Sequence, residues 1–144
     1  MADNPPSPVG QPEGASPRQI RVGRLKCRPE FLAVAGARRK WVAAGLILQA
    51  RPHDQRQRPP ALGPAVRFGL TASKKVGNAV SRNRARRRLR AAAMDVLTSH
   101  GKPGYDFVLI ARSETLVRGF AELKDDLAAG MKRLGAWREG SEQP

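Results

Sequence analysis

The sequence predicts an α+β fold, a small mixed sheet packed with helices in the order α-β-β-α-β-α. Three observations point there. Residues 65–73 alternate apolar and polar, residues 105–112 are apolar on both faces, and the stretches 78–99 and 120–134 repeat their apolar residues at helical spacing. With 144 residues the chain is long enough for one compact core and short for two. A single domain over 21–135 is therefore expected, with a tail at each end.

The first 17 residues hold five prolines among Gly, Ser and Gln, with little that can enter a core, so 1–20 reads as a disordered tail. Pro29 suits a first helical position, and Phe31, Leu32, Val34 and Ala35 follow it, predicting a helix over 29–37 that ends near Gly36. Trp41 to Gln49 is nearly continuous in apolar residues and broken at Gly45. It is one strand, or two short ones bent at that glycine. Residues 53–64, with Asp54, Gln55, three prolines and Gly63, have no periodicity and form a loop. From Ala65 to Ser73 one face carries Val66, Phe68, Leu70 and Ala72 and the other Arg67, Gly69, Thr71 and Ser73, as in a strand with one buried face.

Gly77 then supplies a turn and Asn78 an N-cap for a helix to about Ser99, where His100, Gly101, Pro103 and Gly104 end it. At 100° per residue Ala85, Leu89, Ala92 and Val96 fall in one narrow stripe, the expected core contact. Asn83, Arg84, Arg86, Arg87, Arg88 and Arg90 spread over the remaining circumference, with Arg82 at the border of the stripe. Tyr105 to Arg112 reads as an interior strand covered on both sides. Phe120, Leu123, Leu127, Met131 and Leu134, with Glu122, Lys124, Asp125 and Asp126 opposite, predict an amphipathic closing helix, after which 136–144 is a flexible tail.

The formal net charge is +15, and it is concentrated in the middle of the chain: 20 basic and 2 acidic residues lie between Arg18 and Arg90. Such self-repulsion calls for a polyanionic partner, either nucleic acid or an anionic membrane surface. No apolar run approaches the roughly 20 residues of a membrane span, and no secretory leader pattern opens the chain, so a cytoplasmic protein is expected. Nine Lys and Arg residues stand among the 24 positions from Arg67 to Arg90 with no acid among them. A solvated helix usually interleaves both signs for i,i+4 pairing, which this one lacks. Arginine predominates, and its planar fork grips phosphate oxygens two at a time. Lys74 and Lys75 fall where the strand ends and the helix begins, near a helix N-terminus that itself attracts phosphate.

Charge alone also fits a general basic face with loose nucleic-acid attraction, or a structural RNA-binding or ribosome-associated module. A DNA-binding reading lacks a helix-turn-helix pair or dimerising heptads. Protein-borne catalysis has no support: no His accompanies a Ser or Cys nucleophile in a known signature, and no Gly-rich phosphate loop is present. Gly69 and Gly77 read more simply as strand and turn glycines. Cys27 stands alone and reads as an ordinary reduced thiol, and His53 and His100 are far apart without cysteine companions, so no protein metal site is expected.

The run from Arg67 through Ser73-Lys74-Lys75, Gly77, and Ala79-Val80-Ser81-Arg82-Asn83-Arg84 to Arg90 resembles the signature of the bacterial ribonuclease P protein family. Weaker similarity extends to Arg24-Leu25-Lys26 with Glu30-Phe31, to Gly104–Arg112 and to the closing helix. The resemblance implies a subunit without catalytic residues, whose RNA partner uses Mg2+ ions to cleave the 5′ leader from precursor tRNA, with no obligate protein partner. It implies RNA-facing roles for Lys74, Lys75, Arg82, Asn83, Arg84, Arg87 and Arg90, to which the helical wheel adds Arg86 and Arg88. It also implies a leader cleft between first helix and sheet, carrying Phe31 and Arg67. This chain has Ala35 and Gln49 where the family often places further aromatics, and Trp41 is either a substitute in that cleft or a core residue. Finally, the resemblance implies a left-handed crossover from strand 65–73 through the arginine helix to strand 105–112, against the general rule of handedness.

Overall fold

In the computed structural model, the residues described are 21–52 and 66–139. The expected tail over 1–20, the loop over 53–64 and the last residues 140–144 lie outside them. The elements are β1 (Val22–Arg24), α1 (Arg28–Gly36), β2 (Lys40–Val42), β3 (Leu46–Pro52), β4 (Val66–Thr71), α2 (Ala79–His100), β5 (Tyr105–Ala111), a 3-10 turn (Ser113–Leu116) and α3 (Phe120–Arg133). They form one five-stranded mixed sheet in the order β1-β4-β5-β3-β2. Strands β1, β4 and β5 are mutually parallel, and β3 and β2 run antiparallel to their neighbours.

The predicted α+β order holds with one addition, the short β1 ahead of the first helix. Residues 41–49 resolve into the two-strand alternative: β2 and β3 make a hairpin whose turn includes Gly45. That turn is held from a distance. The Gly45 N–H donates to Asp126 Oδ2 on α3 at 3.0 Å, and its carbonyl accepts from Thr115 Oγ1 at 2.5 Å. Asp126 also takes a two-point ion pair from Arg118, so the two buried polar residues here are satisfied.

Helices α2 and α3 cover one face of the sheet and α1 lies on the other. The predicted α2 stripe is buried, widened by Ala93 and Leu97, and packs with Phe68, Phe107 and Leu109 of the sheet and Leu123, Leu127 and Met131 of α3. A smaller cluster of Leu25, Val34 and Val108, flanked by Phe31 and Ile110, holds α1 to the opposite face. The interior strand β5 is thus covered on both sides, as its sequence requires.

The hand of the β4–α2–β5 crossover follows from backbone stereochemistry. The Phe68 carbonyl accepts from the N–H of Leu25, just past β1, while its ring belongs to the core under α2. For an L-residue seen from α2 with β4 running upward, that combination puts β1 on the right and β5 on the left. The crossover is therefore left-handed, against the usual preference.

The tail expected from residue 136 is a correction. Ala136 is fully buried, and Trp137 stacks on His100 with ring centroids 3.9 Å apart. The Arg138 side chain donates to the carbonyls of Ser99 and Gly101, serving orphan acceptors at the C-terminus of α2. A lone tryptophan in a polar stretch is the sequence signal for this packing.

Candidate nucleic-acid interface

The basic surface is organised by the turn from β4 to α2. Ser73 Oγ accepts the Lys75 N–H at 3.3 Å, and the Ser73 and Lys74 carbonyls accept from Val76 and Gly77. Val76 is buried and anchors the turn, and Gly77 sits at φ 145°, a backbone conformation open to glycine. Asn78 caps α2 as predicted, its Oδ1 accepting from Ser81 N–H at 2.9 Å. This tight turn leaves the Lys74 and Lys75 side chains exposed beside the N-terminus of α2.

Along α2 the arginines are not equivalent. Arg84, Arg87 and Arg90 are exposed and make no hydrogen bond or ion pair with any described residue. They share the solvent arc with Asn83, whose Oδ1 accepts from Arg86 Nη1 at 2.9 Å. Arg82 is half-buried and donates to the Gly77 carbonyl at 3.2 Å, bracing the turn. Arg88 lies on the other border of the helix, where its Nε donates to the Thr115 carbonyl at 2.9 Å and its Nη2 to the Arg118 carbonyl. Unlike Arg84, Arg87 and Arg90, it is thus engaged within the protein. It ties α2 to the 3-10 turn, a role hidden from a helical wheel because the partners lie about a turn of structure away on another element.

The α1 face of the sheet forms a second site. Phe31 lies against Gly69, where an added Cβ would stand only 2.3 Å from the ring. The glycine is what lets the aromatic approach the strand. Gln49 shares a register row with Val108 and Gly69 and is half-buried, while Ala35 is exposed. Trp41 is on the opposite face: it pairs with buried Leu48, and Arg133 of α3 lies 5.0 Å over its ring. It packs half-buried against α3, away from the α1 face.

Arg67 lies on this same α1 face, where it is ion-paired. Its Nε and Nη2 donate to Asp106 at 3.1 and 2.7 Å, and its Nη1 to Glu30 at 2.7 Å. With 19% of its side chain exposed and Asp106 nearly fully buried, it is a strut joining β4, β5 and α1, not a free cation lining the cleft. The hydrogen bonds it donates to Asp106 hold the Arg67 guanidinium above its usual pKa. Glu30 is held below the ordinary carboxylate range, first by the backbone N–H of Lys26, then by Cys27 and Arg67.

Among the described residues no three His, Cys, Asp or Glu come together in a way that could hold a metal ion. No described helix is long and apolar enough to cross a membrane.

Comparison with known proteins places this architecture. The family model for ribonuclease P matches residues 21–135. The ribonuclease P protein component of Paramagnetospirillum magneticum is 52% identical over 116 residues, covering 81% of this chain and 85% of that protein. The corresponding protein of Ruegeria pomeroyi is 48% identical, covering 80% and 88%. Among solved structures, the ribonuclease P protein of Staphylococcus aureus superposes with a TM-score of 0.62 at 22% identity, over 80% of this chain and 97% of that one. The Thermotoga maritima protein does so with a TM-score of 0.56 at 23% identity, over 77% and 94%, so both share the fold. On its sequence, over most of its length, the chain belongs to the ribonuclease P protein family.

Proposed function

We propose that this chain is the cytoplasmic protein subunit of ribonuclease P, docking α2 on the catalytic RNA and holding the 5′ leader of precursor tRNA on the α1 face of the sheet. The observation that carries this reading is the exposed, unneutralised row Arg84, Arg87 and Arg90 continued by Lys74 and Lys75, a surface made for phosphate. Lys74, Lys75, Asn83, Arg84, Arg86, Arg87 and Arg90 are the RNA-facing set, with Arg82 bracing the turn that presents them. Phe31 is the platform for an unpaired leader base, a contact worth about 1–3 kcal/mol.

Bond cleavage belongs to the RNA. Magnesium ions supply charge stabilisation for an attacking water at the phosphodiester. The protein's part is positioning and neutralisation, which its exposed basic row supports. With Ala35 and Gln49 beside it, Phe31 is the stacking residue of the cleft among the described residues.

The holoenzyme, reconstituted with its RNA, is expected to bind precursor tRNA more tightly than mature tRNA. Gly69→Ala drives a methyl group into the Phe31 ring and should reduce that preference at least about 5-fold, the lower end of the value of one stacked base. Its affinity for the catalytic RNA should stay unchanged. An unaltered leader preference in a folded Gly69→Ala protein would remove Phe31 from the leader site.

A further inference from the structure

Arg24 closes the edge strand β1 and pairs in register with Phe68. Its guanidinium lies 5.0 Å over the Phe68 ring, on the α2 side of the sheet. α2 passes over β1. Since Arg88 points to the 3-10 turn, helical spacing sends Arg86 and Arg90 to the opposite border, toward β1. The consequence shows in the electrostatics: partial burial and then the charge of Arg90 pull the Arg24 guanidinium below its usual range. Neither arginine makes an ion pair or hydrogen bond with any described residue. The fold has brought two cations from distant parts of the sequence to one edge of the sheet, and no described carboxylate pairs with either.

We propose that Arg24 and Arg90 form a two-pronged clamp for a phosphate of the RNA backbone, extending the RNA surface from α2 around the β1 edge of the sheet. This rests on the reading of the chain as an RNA-docking subunit and adds a residue outside the arginine helix. An anion seated between the two guanidinium groups turns their repulsion into attraction, and stacking on Phe68 holds one prong in place before binding. Lys26 and Arg28, exposed directly after β1, continue the track toward α1 and hence toward the leader site.

Arg24→Met keeps an apolar stem over Phe68 and removes the charge, and Arg90→Met does the same at an exposed helix position. Each should weaken binding to the catalytic RNA about 5- to 10-fold and flatten the slope of log K against log salt by roughly 0.7–0.9, the value of one phosphate contact. The double variant should lose less than the product of the two, because the prongs share a ligand. Without RNA, Arg24→Met should melt at or above the wild-type temperature, since the repulsion is gone. If both single variants bind RNA with wild-type affinity and slope, while Arg84→Ala with Arg87→Ala is weakened, the clamp is wrong and the docking reading stands. If the wild-type protein itself binds the catalytic RNA without salt dependence, both fall.

Discussion

Replacing Arg84 and Arg87 together with alanine should weaken binding to the catalytic RNA about 30- to 100-fold at physiological salt, with the fold intact. Each guanidinium is exposed and free of described protein partners, so folding does not draw on it. Surface substitutions of this kind change stability by no more than about 0.5 kcal/mol. A charge-assisted hydrogen bond to phosphate contributes roughly 1–1.5 kcal/mol after desolvation, and two such losses give the stated range. The salt slope should fall by about 1.4–1.8, because two phosphate contacts fewer release counterions. Filter binding or fluorescence titration at several potassium chloride concentrations measures both quantities. An unchanged slope would put these arginines off the interface. Arg88→Ala offers a contrast, since its guanidinium is spent on the Thr115 and Arg118 carbonyls.

Arg67→Ala should have the reverse profile, a large loss of stability with RNA docking kept in the folded fraction. It removes three charged hydrogen bonds at once and leaves the nearly buried Asp106 without its bidentate counter-ion. Breaking such a pair costs about 3 kcal/mol, or on the order of 10 °C in Tm for a domain this size. The Glu30 side of the strut adds a pH dependence. Its folded-state pKa is lowered from the unfolded value near about 4.3, so its contribution is present above that value and is lost as pH falls through the lowered one. The stability difference between wild type and Glu30→Gln should therefore shrink in acid, below about pH 4. Chemical denaturation at a series of pH values reads it directly, and a difference that stays constant into acid would assign Glu30 no charged role.

Much of the architecture was legible because it is local. The alternation that becomes β4 over Val66–Thr71, the Asn78 cap and the α2 stripe are properties of adjacent residues. What was not legible depends on distant partners. β1 is three residues whose only reason to be extended is β4, some forty positions later. The hairpin turn at Gly45 is set by Asp126 and Thr115 from the other end of the chain. The same division runs through the site. A wheel treats Arg84 and Arg88 as equals, and alternation presents Arg67 as a polar-face cation. Carbonyls beyond β5 and the Asp106 carboxylate decide otherwise. The setting of Arg24 is likewise non-local, since it depends on α2 passing over β1.

The central claim is that the protein neutralises and positions while the RNA cleaves. Cleavage of a leader-bearing precursor tRNA by the cognate catalytic RNA, followed across a magnesium titration with and without the protein, tests it most directly. The protein should shift the magnesium requirement several-fold lower and raise turnover, and Arg84→Ala with Arg87→Ala should lose most of that shift. An identical magnesium profile with and without the protein would contradict the account.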